Sequence, residues 1–360
     1  MADPRVEAYA RLLVEYCLDV APRTQVLLAT SPLARPLYDE CVRAIARRGA
    51  FVIPRITWSS SVLNEKTWLA EAPEELLGEL PPVDRHLAEH VDAVLGIEAP
   101  ENTRADADLP SARMTLGQEA SRPLLDRVTA HELPWVLCQY PTPALAQEAG
   151  MSLRAFEDVL YEACLIDWEE AGERMRRIAD RLERAHELRI VGPSTDLTLS
   201  IAGRRFESSA GKYNMPDGEV FTAPVEESVN GVVHFSEFPA VYEGRELAGI
   251  RLVFRDGVVV EASSDSEEAF LHEVLDRDPG ARRLGEVGIG CNPGVTRYMK
   301  NTLFDEKMDG TVHLALGQSY TDLGGLNDSV IHWDIVKDLR GDGRLEADGE
   351  VVQEHGAWRL

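Results

Sequence analysis

Hydrophobic residues in the first half of the chain alternate between helical spacing and short continuous runs. Helical spacing appears over 6–16 and 36–48, whereas apolar runs typical of buried strands occur at 24–29, 50–54, 91–97 and 134–138. Strands separated by helices favour βαβ units, in which neighbouring strands run parallel. The pattern therefore predicts an α/β domain with a mainly parallel sheet.

The pattern changes near residue 190. Residues 153–188 resemble one or two helices rich in Arg and Glu, and they are our candidate connector. Beyond them, short strand-like segments are separated by tight-turn sequences at 215–218, 255–257 and 341–343, with one helix near 267–275. We therefore predict two domains, an α/β N-terminal domain over 1–190 and a β-rich (α+β) domain over 191–360. A chain of 360 residues is long enough for both.

The chain is strongly acidic, with a formal net charge of −25 and only five lysines among 37 basic residues. Such a surface repels nucleic acid and anionic membranes, so we expect neither as a partner. Adaptation to a salty cytoplasm would explain the acidity, because counterions screen the self-repulsion. A GC-rich genome that favours arginine codons, combined with a merely acidic surface, would give a similar composition.

Other features bear on cellular location and exclude several chemistries. The N-terminus has charged residues before any apolar run develops, and no segment approaches the roughly 20 apolar residues needed to span a bilayer. Five cysteines without Cys-x-x-Cys spacing indicate reduced thiols. We therefore expect a soluble, cytoplasmic protein. The chain has no P-loop, Gly-x-Gly-x-x-Gly, His-Glu-x-x-His or Gly-x-Ser-x-Gly motif, so nucleotide binding, a thermolysin-type zinc site and a serine nucleophile lack support.

Residues able to bind metal recur on strand-like segments of the last third. Strand alternation places His332 and Asp334 on one face, and it places His313 opposite its apolar neighbours. Glu219 and Glu286 each follow a glycine and precede an apolar residue. Individually, each could be an exposed residue, or in the case of His313 a hydrogen-bonded core residue. Together, however, three carboxylates and two imidazoles are chemically complete for two divalent cations that share a hydroxide.

Several of these segments resemble the aminopeptidase T/aminopeptidase S family of thermophilic metallopeptidases. The resemblance rests on the segments 214–224, 284–287, 301–306, 313–317 with Tyr320, and 327–334. It implies metal ligation by Glu219, Glu286, His313, His332 and Asp334, with Glu306 as a further ligand, and it places Tyr320 at the metal centre. It also implies zinc, cobalt or manganese as cofactor, small peptides as substrate and a homodimer. We expect a metal-activated water as nucleophile, with Glu286 or Glu306 as its general base.

Two alternatives remain open from the sequence. The segment 288–293 resembles the related 2,5-dihydroxypyridine dioxygenases, which implies one iron(II) per chain. Two histidines and one carboxylate suit such an iron site, and His313, His332 and Asp334 could supply them. That arrangement leaves Glu219 and Glu286 without a cation. The other alternative is a metal-binding scaffold protein without catalytic activity.

The acidic composition gives a first testable prediction. If the surface is adapted to salt, the melting temperature should rise steeply with KCl concentration, because screening relieves repulsion in the folded state. Calorimetry in KCl would measure this, and sucrose, which stabilises by exclusion without screening charge, is the control. A melting temperature that does not change with KCl would support the codon-usage explanation.

Overall fold

A computed structural model describes residues 3–58, 65–105, 109–130 and 132–359. The chain forms two compact units that are not simple halves of the sequence. The first contains Met1–Leu165 and Gly211–Pro216, and the second contains Ile166–Ala210 and Asp217–Leu360.

Helices predominate before residue 185 and strands after it. The described α-helices are α1 Pro4–Arg11, α2 Arg35–Arg47, α3 Lys66–Glu71, α4 Glu74–Leu77, α5 Pro82–His90, α6 Ser111–Thr129, α7 Pro143–Glu148, α8 Leu153–Cys164, α9 Trp168–Leu182, α10 Glu268–Leu275 and α11 Thr302–Asp305. The described strands are β1 Gln25–Thr30, β2 Phe51–Ile56, β3 Ala93–Glu98, β4 Trp135–Gln139, β5 Glu187–Gly192, β6 Thr195–Ser200, β7 Glu207–Ser209, β8 Asn214–Met215, β9 Glu219–Thr222, β10 Asn230–Phe235, β11 Ala240–Tyr242, β12 Arg245–Leu247, β13 Ile250–Arg255, β14 Val258–Ser263, β15 Leu284–Gly290, β16 Thr311–Gly317, β17 His332–Asp338, β18 Arg344–Ala347, β19 Glu350–Glu354 and β20 Ala357–Trp358.

The first unit is built on a parallel sheet with the strand order β2-β1-β3-β4-β8. β1 is almost completely buried along its length, as expected for a strand with both faces covered. The α/β prediction with a parallel sheet is confirmed. The edge strand β8 comes from the returning segment Gly211–Pro216, which the hydrophobic pattern did not assign to this sheet.

The second unit consists mainly of antiparallel strands, which confirms the β-rich prediction. Eight strands form one sheet, in the order β14-β13-β10-β6-β5-β18-β19-β20, and five form another, in the order β17-β16-β15-β9-β7. We call the five-stranded one the site sheet. The helix α9 begins at an Asp167 side chain that accepts hydrogen bonds from two backbone amides of the first turn. Its apolar face, which includes Met175 and Ile178, lies in the core of this unit.

Strict alternation gives the site sheet an apolar face and a polar face. Val312 and Leu314 on β16, and Trp333 and Ile335 on β17, lie in the hydrophobic core. Because successive side chains of a strand point to opposite faces, the residues between them point to the other face. Burial of the apolar face therefore fixes the register of the polar side chains.

In the part of the chain that the structure describes, no helix is long and apolar enough to cross a membrane.

The domain boundary near residue 190 stays a prediction, and limited proteolysis would test it. We expect two stable fragments that meet within residues 165–195, because the N-terminal fragment would lose only the two-residue edge strand β8 from its parallel sheet. Mass spectrometry over a time course would locate the cuts. First cleavages well away from this interval would contradict the boundary.

Candidate metal centre

Four neighbouring strands of the site sheet carry five of the predicted residues. Glu219 lies on β9, Glu286 on β15, His313 on β16, and His332 and Asp334 on β17. These strands are adjacent, in the order β17-β16-β15-β9. The structure brings the five side chains together on the polar face of the sheet.

On one neighbouring strand, each of these side chains has a small residue as its partner. Glu219 pairs with Gly290, Glu286 and Asp334 with Ala315, His313 with Gly288, and His332 with Gly317. At Gly288 the space is required, because a Cβ atom there would lie 2.0 Å from Nε2 of His313. Gly288 thus makes room for the imidazole of His313 on the neighbouring strand β16.

The first cluster consists of Glu219, Glu286 and His313, all of them buried. The Nε2 atom of His313 lies 3.2 Å from Oε1 of Glu286 and 3.3 Å from Oε2 of Glu219. One imidazole nitrogen and two carboxylate oxygens thus converge on a single point.

The second cluster consists of Glu286, His332 and Asp334. The Nε2 atom of His332 lies 3.3 Å from Oε2 of Glu286 and 3.5 Å from Oδ2 of Asp334. On the other side of the ring, Nδ1 donates a hydrogen bond of 2.9 Å to the carbonyl oxygen of Gln318. This bond assigns the proton of the neutral ring to Nδ1 and leaves Nε2 as the ligating atom.

Glu286 belongs to both clusters. Its Oε1 faces His313 and its Oε2 faces His332. This is the arrangement that a carboxylate needs to bridge two cations.

Glu306 and Lys307 reach the same site from the short helix α11. Asn301 caps this helix at the Leu303 amide, and the Asp305 carboxylate accepts backbone hydrogen bonds from residues 299 and 301. The Nζ atom of Lys307 lies 2.7 Å from Oε1 of Glu219 and also donates to Oε1 of Glu306. The side chain of Lys307 is only 1% exposed.

Sequence reasoning missed Lys307 as a site residue. The available signal was its position directly after Glu306 in a chain with very few lysines. Spacing alone could not reveal its role, because the partner Glu219 is 88 residues away.

Tyr320 lies at the solvent-accessible edge of the site and is 39% exposed. Its ring centroid is 5.0 Å from that of Phe221 and 5.7 Å from that of His332. The negative charge of Glu286, followed by burial, raises the pKa of the Tyr320 hydroxyl well above its usual value. The hydroxyl therefore stays protonated at neutral pH and can act as a hydrogen-bond donor.

Burial and the close approach of charged groups shift the pKa values in this site. Burial raises the pKa of Glu219 to about 8, although the ammonium of Lys307 lowers it. Burial would also raise the pKa of Glu286, but hydrogen bonds from His313 and His332 outweigh this effect and hold it below its usual range. Burial disfavours the charged form of His313, but hydrogen bonding to Glu286 and the charge of Glu219 raise its pKa to about 9. The protons on the imidazoles thus occupy the positions that metal cations would take.

The residues present fit divalent cations. In the described ranges, Oε2 of Glu219 and Oδ1 of Asp334 are buried and accept no hydrogen bond of good geometry. Leaving such carboxylate oxygens unpaired costs free energy, since burial removes them from water. Carboxylate oxygens and imidazole nitrogens are the donor types that zinc, cobalt and manganese accept. Cations at these two points would pair the oxygens that the chain leaves unpaired.

Buried carboxylates and imidazoles on a sheet face define a metal-dependent class of protein, and comparison with known proteins specifies the family. Residues 2–358 match the family described as thermophilic metalloprotease (M29). The chain therefore belongs to this family, and the protein is a hydrolase.

Named relatives cover nearly the whole chain. Aminopeptidase 2 of Geobacillus stearothermophilus is 31% identical, over 99% of this chain and 98% of its own length. Aminopeptidase T of Thermus aquaticus is 28% identical, over 93% of each chain. The predicted resemblance to aminopeptidases T and S is confirmed.

Two solved structures share the fold. Wild-type AmpT from Thermus thermophilus has a TM-score of 0.85 at 26% identity and covers 99% of both chains. The 2,5-dihydroxypyridine dioxygenase from Pseudomonas putida KT2440 has a TM-score of 0.61 at 13% identity, over 99% of this chain and 98% of its own. At that identity, the second similarity concerns the fold alone.

The close approach at Gly288 gives a testable prediction. We expect Gly288→Ala to displace the His313 imidazole, to lower the metal content and to reduce the free energy of unfolding by about 1–3 kcal/mol, as overpacking does. Denaturant titration and elemental analysis would measure both effects. Gly341→Ala is the matched control, because a Cβ atom there meets nothing within 4 Å. Equal metal content and stability in the two variants would contradict this account of Gly288.

Proposed function

We propose that the protein is a metal-dependent aminopeptidase that removes N-terminal residues from small peptides with two divalent metal ions. The observation that carries this proposal is the position of Glu286, whose two oxygens face different imidazoles. A carboxylate shared in this way suits two neighbouring cations better than one. Glu219, Glu286 and His313 would hold the first ion, and Glu286, His332 and Asp334 the second.

The charges of the site support two ions. The site brings together the carboxylates of Glu219, Glu286, Glu306 and Asp334 and the ammonium of Lys307. With neutral imidazoles, their net charge is three negative units. One divalent cation would leave a buried excess of negative charge, whereas two cations and one hydroxide ion give neutrality. Zinc, cobalt and manganese all accept this mixture of ligands.

Bound divalent ions would supply Lewis-acid chemistry, in which they lower the pKa of a water molecule and polarise the scissile carbonyl group. Both oxygens of Glu286 face imidazoles, so Glu286 acts as the shared ligand and Glu306 as the general base. Burial raises the pKa of Glu306, which suits a group that takes a proton from water and passes it to the leaving amine. Tyr320 donates a hydrogen bond to the carbonyl oxygen as it gains negative charge.

The accessible side of the site suggests how a peptide binds. Tyr320 is 39% exposed and the side chain of His332 is 30% exposed, whereas Glu219, Glu286 and His313 are buried. Substrate would therefore approach past Tyr320 and His332. The net charge of −25 on the chain attracts a free ammonium group and repels a free carboxylate, which favours the N-terminal end of a peptide over its C-terminal end.

A homodimer and a cytoplasmic location complete this proposal. The dimer rests on the resemblance to the aminopeptidase T/aminopeptidase S family. The location rests on the five cysteines, which are free thiols without disulfide-type spacing and are typical of a reducing compartment. Static light scattering of the purified protein would measure the assembly directly.

Metal stoichiometry tests the proposed function. We expect elemental analysis after gentle purification to find close to two zinc, cobalt or manganese ions per chain. His332→Ala and Asp334→Ala should each bind less metal and lose turnover of aminoacyl-anilides, because each removes a ligand of the second ion. Circular dichroism should indicate that both variants remain folded.

His186→Ala is the matched control, since this imidazole is 79% exposed and distant in sequence from the site residues. It should keep both ions and full turnover. Wild-type turnover in both ligand variants would overturn the assignment. One iron per chain, together with oxygen uptake on a dihydroxylated aromatic ring, would favour a ring-cleaving dioxygenase instead.

A further inference from the structure

We propose that Lys307 is a positioning residue that keeps Glu306 off the metal ions and makes the first cluster the weaker of the two metal positions. The inference rests on the proposed two-metal function and extends it. It assigns different affinities to the two positions and explains how Glu306 remains available as a base.

The position of the Lys307 ammonium limits what Glu219 can offer to a cation. Its Nζ atom lies 2.7 Å from Oε1 of Glu219, so this oxygen already accepts a charge-assisted hydrogen bond. Only Oε2, which lies 3.3 Å from the Nε2 atom of His313, remains directed to the first cluster. Glu219 therefore acts as a ligand through one oxygen, beside a fixed positive charge.

Within the described part of the chain, the second cluster has no neighbouring ammonium or guanidinium group of this kind. Among the described residues, the ion-pair partners of Glu286 are His313 and His332, and the ion-pair partner of Asp334 is His332. No lysine or arginine of the described ranges pairs with either carboxylate. A cation at the second position therefore meets less repulsion than one at the first, and the difference is large at short range in a buried site.

Glu306 is held by the same ammonium. Its Oε1 accepts a hydrogen bond from Nζ of Lys307, and its side chain is 13% exposed. Without Lys307, the Glu306 carboxylate would be stabilised most by binding a nearby divalent cation. The ion pair with Lys307 already stabilises this carboxylate, so Glu306 stays off the metal and its second oxygen, Oε2, remains available to accept a proton.

The backbone fixes Lys307 in this position. Its amide donates a hydrogen bond of 3.0 Å to the Phe304 carbonyl, and its own carbonyl accepts one of 2.9 Å from the Asn292 amide. The side chain is enclosed, at 1% exposure. The ammonium therefore has little freedom to leave the two carboxylates.

The test compares metal binding by wild type and Lys307→Met, with the metal-depleted full chain titrated with zinc against a competing chelator. Wild type should bind two ions in two separate steps. The weaker step should become at least about tenfold tighter in Lys307→Met, because Glu219 then offers both oxygens and Glu306 can join as a ligand. With Glu306 engaged, kcat should fall by about 100-fold or more.

Cobalt gives a readout that does not depend on activity. The visible absorption of the cobalt-loaded Lys307→Met variant should change in intensity, because the coordination number rises when Glu306 binds. The double variant Lys307→Met with Glu306→Gln should reverse that change. An unchanged spectrum in Lys307→Met would overturn the inference.

Lys337→Met is the matched control for loss of a buried lysine. Lys337 is fully buried and pairs with Glu237 and the His234 carbonyl. It lies three residues after Asp334 on β17, and strand alternation puts it on the opposite face of the sheet. This variant should bind zinc in the same two steps as wild type, even if its free energy of unfolding is lower.

Glu306→Gln in the wild-type background tests the same idea without removing the lysine. If Lys307 keeps Glu306 off the metals, this variant should keep both zinc steps while losing turnover. Weaker zinc binding in either step of Glu306→Gln would overturn the inference. Zinc-binding curves of wild type and Lys307→Met that superimpose in both steps would overturn it too. Either result would leave the two-metal function standing. A single step that takes up two ions in wild type would overturn the inference alone, whereas uptake of only one ion would contradict both.

Discussion

The burial of four carboxylates, three from the site sheet and Glu306 from the end of α11, is the constraint on which this structure depends. Glu219, Glu286, Glu306 and Asp334 converge at a point where, in the part of the chain that the structure describes, one ammonium pairs with them, that of Lys307. Buried negative charges repel each other strongly when little water screens them. The hydrophobic packing on the opposite face of the sheet must hold them together, so the apolar alternation of β16 and β17 matters to the chemistry as much as the ligands do.

Much of this arrangement could be predicted from the sequence, because both alternation and ligand type are local properties. Residues such as His313, between Val312 and Leu314, indicate their face of a strand without reference to other parts of the chain. The α/β character of the first unit could likewise be predicted from helical and continuous apolar spacing. The signals that succeeded each lie within a single helix or strand of the chain.

The remaining features arise from contacts between distant residues. Spacing gives no indication that Lys307 pairs with Glu219, or that the two oxygens of Glu286 would divide between His313 and His332. The two-residue strand β8 is too short to have a pattern of its own, and it joins the first unit by pairing with β4, where Asn214 lies opposite Leu137, 77 residues earlier in the sequence. The general base was open between Glu286 and Glu306 for the same reason, since the choice depends on which oxygens are already engaged.

The glycine across from His313 has a consequence for how such a site can arise. Gly288 supplies no chemistry, yet it leaves the volume in which the His313 imidazole fits, because a Cβ atom there would lie 2.0 Å from Nε2. A strand that acquired His313 first would still have a side chain in that volume, and the imidazole could not lie beside Glu286. A sheet that already carried a glycine at this position would therefore be the accessible starting point. A search for distant homologues could look for this glycine as well as for the ligands.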